Sequence, residues 1–89
     1  MVKNSIRFVE TTADLEGEAR RMIDDVLMMR GDLVDGEREI GQKKVVVRDG
    51  EVWVDGVQAD FDLKPTVENF VAIQRLYGLM ISLMPSGDW

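Results

Sequence analysis

The chain has 89 residues, 45% of them apolar, and 17 acidic against 11 basic side chains give it a net charge of −6. That length implies one domain across 1–89, near the lower limit for a single hydrophobic core. With neither cysteine nor histidine, disulfides, thiolate or imidazole metal centres and nucleophile–histidine catalysis are excluded. A surface of this sign also repels nucleic-acid phosphates, so direct nucleic-acid binding is not expected.

In chain order, "NSIRFVETT" alternates Ile6 and Phe8 with Ser5, Arg7 and Val9, the pattern of a half-buried strand. The opening residues are broken by charge every few positions and carry no apolar core of a signal peptide, so a cytoplasmic location is expected. Thr11 or Thr12 can cap a helix whose first turns hold Asp14, Glu16 and Glu18, favourable at the positive end of its dipole. Leu15, Ala19, Met22, Ile23, Val26 and Met29 or Arg30 recur at three- and four-residue spacings and form its inner face. Gly31 ends it. The next stretch, "GDLVDGEREIGQ" (residues 31–42), is polar, holds three glycines and reads as a loop.

Asp49–Gly50 then lies between two β-branched runs, a strong hairpin signal. A two-residue turn there sets Arg48 opposite Glu51, Val47 opposite Val52, Val46 opposite Trp53, Val45 opposite Val54 and Lys44 opposite Asp55. Such cross-strand pairs each contribute about 0.2–1 kcal/mol. Val45, Val47, Val52 and Val54 share the core face of this hairpin. A second turn at Asp55–Gly56 puts Val57, Ala59, Phe61 and Leu63 on that face, with Gln58, Asp60 and Asp62 outside. Pro65 is the expected start of a last helix, with Val67, Phe70, Val71 or Ile73, Tyr77, Met80 and Met84 inward and Pro85–Ser86–Gly87 stopping it. The predicted order is β-α-β-β-β-α, a mostly antiparallel sheet with two helices on one face. No apolar run reaches the roughly 20 residues a membrane span needs.

Three motifs bear on chemistry. Gly36 to Lys43 loosely resembles a phosphate loop, but Gln42 separates Gly41 from the lysine, no hydroxyl follows, and a strand comes next. The many carboxylates of residues 32–62 miss the calcium-loop spacing of an EF-hand. A looser calcium site from Glu51, Asp60 and Asp62 on the outer sheet face is the alternative they allow, and otherwise no cofactor is expected. Carboxylate-only catalysis needs a cleft that so small a domain has little room for, so a non-enzyme is expected.

The segment "LYGLMISLM" (Leu76–Met84) carries more apolar surface than one helix face can bury. If Tyr77, Met80 and Met84 face the sheet, Leu76, Leu79, Ile81 and Leu83 are left as a partner interface. Val46 and Trp53, on the opposite sheet face, are candidates for the same role. The expected function is a small acidic interaction module, homodimeric through the C-terminal helix, docking a basic protein through the 31–42 loop or an acidic sheet face. The alternatives are a phosphate-mimicking inhibitor of a nucleic-acid enzyme, and the weak calcium binder.

Overall fold

The computed structural model describes residues 11–84. The strand expected around Ile6 and Phe8 and the terminal "PSGDW" lie outside them. Helix α1 (Thr12–Arg30) opens where the sequence provides a cap: the Thr11 hydroxyl accepts a hydrogen bond from the Asp14 N–H at 3.0 Å. At its other end the Gly31 N–H donates to the Met28 carbonyl and the Asp32 N–H to the Met29 carbonyl. Four strands follow, β1 (Gly36–Ile40), β2 (Lys43–Arg48), β3 (Glu51–Val54) and β4 (Val57–Gln58), then helix α2 (Phe70–Leu83). The strands form one antiparallel sheet in sequence order. The domain is therefore α+β, with two helices and a four-stranded antiparallel meander.

Each strand connection is a two-residue turn with both residues at positive φ, at Gly41–Gln42, Asp49–Gly50 and Asp55–Gly56. Turns of this hand match the twist of the strands they join. The register of the central hairpin is the one the sequence implies, Arg48 facing Glu51, Val47 facing Val52, Val46 facing Trp53 and Val45 facing Val54. Both helices cover the same sheet face. Val26 of α1 and Leu76, Met80 and Leu83 of α2 pack with Val45, Val47, Val52 and Phe61. A smaller cluster of Ala19, Met22 and Ile73 joins the two helices. Burying a side chain of this size contributes about 1.5–3 kcal/mol, so this double cluster supplies most of the driving force available to so short a chain.

The structure departs from the sequence reading at four places. First, residues 31–42 are not all loop, because Gly36–Ile40 form an edge strand on β2. Its alternation is hidden by Arg38, which takes the position opposite the buried Val45 and donates from Nη1 to the Leu83 carbonyl at 3.2 Å. Arg38 thereby supplies a partner to a carbonyl of the last turn of α2, where the helix leaves such groups unpaired. Second, the last predicted strand is cut to two residues, and Val57 is 70% exposed. The Asp60 carboxylate accepts the Asp62 N–H at 2.8 Å, a local turn that bends the chain away from β3. Phe61 is still buried, and Ala59 and Leu63 are half-buried.

Third, α2 starts at Phe70 and not at Pro65. The Thr66 carbonyl and hydroxyl both accept from the Asn69 N–H, and the Asn69 amide donates back to the Lys64 carbonyl, so residues 64–69 are held in turns. Val67 consequently stays outside the core. Fourth, α2 is rotated about its axis relative to the expected stripe. Its buried residues are Ile73, Leu76, Met80 and Leu83. Ile73 takes the inner position offered jointly to it and Val71, while Tyr77 and Met84 are half-buried.

Candidate functional site

The rotation of α2 decides which of the expected interface residues reach the surface. Leu76 and Leu83 do not: they are 8% and 1% exposed and belong to the core, so their assignment to a partner surface is corrected. Leu79 is half-buried at the core's edge. Ile81 is 50% exposed, and Val71, read as a candidate core residue, is 56% exposed. Gln74, Arg75, Gly78 and Ser82 are exposed as well, and helical spacing puts them beside Val71 and Ile81 on one outward side. In its fourteen residues α2 carries a single charge, Arg75. A surface helix of a chain so rich in acids would ordinarily present carboxylates to water. This one presents apolar and small groups with one cation and no carboxylate.

Val46 and Trp53 are cross-strand neighbours on the sheet face away from the helices, and both are half-buried. They line a shallow depression of about 320 Å³ with Lys44, Arg48 and Gly56. The charges around them are arranged differently from the simple cross-strand pairs. Lys44 approaches Glu37 of β1, Nζ to Oε1 at 3.5 Å. The Asp55 carboxylate accepts the backbone N–H of Lys44 at 3.0 Å and so ties the turn rather than the lysine ammonium. Glu51 stands opposite Arg48 in the ladder but gives its carboxylate to Arg30.

Arg30 enters the sequence reading only as an alternative to Met29 on the inner face of α1, with no partner for its guanidinium. Its Nε donates to the Gly50 carbonyl at 2.8 Å, its Nη2 to Glu51 Oε2 at 2.8 Å, and its guanidinium lies 4.1 Å from the centre of the Phe61 ring. One side chain at the end of α1 thus fastens the β2–β3 turn and the segment after β4. A basic residue in the last turn of a helix is the only sequence signal for it, and that signal fits a plain dipole contact equally well.

The same group occupies the place proposed for calcium. Glu51, Asp60 and Asp62 do line one depression, of about 360 Å³, together with Arg30 and Phe61. Both Glu51 oxygens are already engaged, Oε1 by the Gln58 amide at 2.9 Å and Oε2 by Arg30. Among the described residues no three carboxylates come close enough together to hold a metal ion. The three are therefore neighbours around a guanidinium, not a converging ligand set.

No protein-family model matches the chain, and no curated protein or solved structure matches it. Among the described residues no helix is long and apolar enough to cross a membrane.

Proposed function

We propose that this chain is a small, acidic, non-enzymatic interaction module that pairs with a second copy of itself through the outward side of α2. Val71 and Ile81, with Gln74, Gly78 and Ser82 beside them, form the pairing surface. The observation that supports this most is the charge pattern: α2 carries one charge, a cation, while the whole chain stands at −6. Two copies of an acidic protein repel each other through most of their surfaces. The side of α2 brings apolar groups together without juxtaposing carboxylates, and a two-fold axis makes such a patch self-complementary.

The exposed acids of the remaining surface, among them Asp24, Asp25, Asp32 and Glu39, are then available to a basic partner protein. Light scattering on the full chain at tens of micromolar tests the pairing: the mass of two chains is expected, and the mass of one chain removes it. Binding to the basic partner should weaken steeply as salt is raised, because exposed charges are screened beyond about 8 Å at physiological ionic strength.

A further inference from the structure

Three Asp-Gly pairs lie among the described residues, Asp35–Gly36, Asp49–Gly50 and Asp55–Gly56, and the fold holds their carboxylates differently. We infer that Asp49 is the position at which this chain converts to isoaspartate, a modification that reroutes the backbone of the β2–β3 turn.

The chemistry needs an aspartate whose side chain is free to meet the backbone nitrogen of the next residue. That nitrogen bonds to Cγ, its proton and a carboxyl hydroxyl leave as water, and a five-membered succinimide closes. Water then opens the ring. Addition at Cγ restores aspartate. Addition at the main-chain carbonyl leaves the chain running through Cγ, so the composition is unchanged and the backbone is one carbon longer. A following glycine suits the closure, because no side chain shields its nitrogen and its backbone is permissive.

Two of the three carboxylates are held. Asp35 Oδ1 accepts the Asp49 N–H at 3.0 Å, and Asp55 Oδ1 accepts the Lys44 N–H, also at 3.0 Å. Each must give up that bond before it can turn to its own glycine. Asp49 is exposed, and among the described residues its carboxylate takes part in no hydrogen bond or ion pair. Gly50 lies outside the β2–β3 ladder, and among the described residues its N–H donates to no backbone carbonyl. Both reacting groups are therefore unengaged at this pair alone.

The position also gives the modification a structural effect. The turn has two residues and sets the register of β2 against β3, and the Gly50 carbonyl accepts from Arg30 Nε at 2.8 Å. One added backbone carbon lengthens that turn and displaces the carbonyl, so the hairpin loses both its turn geometry and this tie to α1.

The test holds the full chain, folded, at neutral pH and body temperature for several weeks in heavy-oxygen water. Each passage through the succinimide takes one labelled oxygen from the solvent, and electron-transfer fragmentation of tryptic peptides tells isoaspartate from aspartate residue by residue. Isoaspartate should accumulate at Asp49 several-fold faster than at Asp35 or Asp55, and the isolated isoaspartate form should unfold at a lower temperature. In urea, where the hydrogen bonds to Asp35 and Asp55 are gone, the three positions should react at similar rates. Faster conversion of Asp35 or Asp55 in the folded chain overturns the inference, as does a preference for Asp49 that survives in urea. It is overturned too if Asp49 stays unmodified in the folded chain over a period in which the unfolded chain reacts. None of these outcomes depends on whether two chains pair through α2.

Discussion

Among single side chains, Arg30 gathers three parts of the fold, joining α1 to the β2–β3 turn and to Phe61. About a third of its side chain remains exposed, so the ion pair with Glu51 is screened and contributes little alone. The hydrogen bond to the Gly50 carbonyl and the contact with the aromatic face add to it. Arg30→Met keeps the aliphatic stem and removes the charge and the donors. It should destabilise the domain by about 1–2 kcal/mol in urea unfolding, and an unchanged midpoint would show that the guanidinium contacts contribute nothing net. None of this could be read from the sequence, because Arg30 lies on the border of the α1 stripe and its partners come from other elements. Its pairing also draws the Glu51 carboxylate away from Arg48, which stands opposite it in the ladder. Nothing within the hairpin reveals that the carboxylate turns toward the helix.

At the scale of elements, glycine separates turn from helix by the sign of one substitution. Gly17 lies within α1 and Gly56 in a turn at φ +85°, and an added Cβ meets no atom within 4 Å at either. Gly17→Ala should therefore stabilise the domain by about 1 kcal/mol through helix propensity. Gly56→Ala should destabilise it by about 1 kcal/mol, since an L side chain disfavours that backbone region. Thermal unfolding of the two variants checks both signs together, and a shift in the same direction would contradict the turn geometry. The elements most legible in the sequence were those with local chemistry. Thr11 capped α1 as expected, and Asp49–Gly50 fixed a hairpin whose four valines declared their face. Strand β1 was hidden because its inward position is an arginine serving a distant helix end and its turn, Gly41–Gln42, lacks the usual Asn-Gly or Asp-Gly pair. The start of α2 was hidden because Thr66 and Asn69 hold the backbone in turns that Pro65 alone does not announce.

For the whole molecule, the surplus of apolar surface expected near the carboxyl end proves smaller than "LYGLMISLM" implies, since Leu76 and Leu83 complete the core. What stays outside is narrower and nearly uncharged: the Val71–Ile81 side of α2. Core and surface leucines of one helix look alike in sequence, and only the rotation of α2 against the sheet tells them apart. Leu83→Asp should accordingly unfold the chain, because an unpaired buried carboxylate costs several kcal/mol against a total stability of about 5–15 kcal/mol. Circular dichroism would read that loss, and a folded Leu83→Asp protein would place this residue outside the core after all. Ile81→Asp should instead leave the monomer folded. The decisive measurement is sedimentation equilibrium of the wild-type chain beside Ile81→Asp. The account predicts a two-chain mass for the wild type and a folded one-chain mass for the variant; equal masses for the two proteins would contradict it.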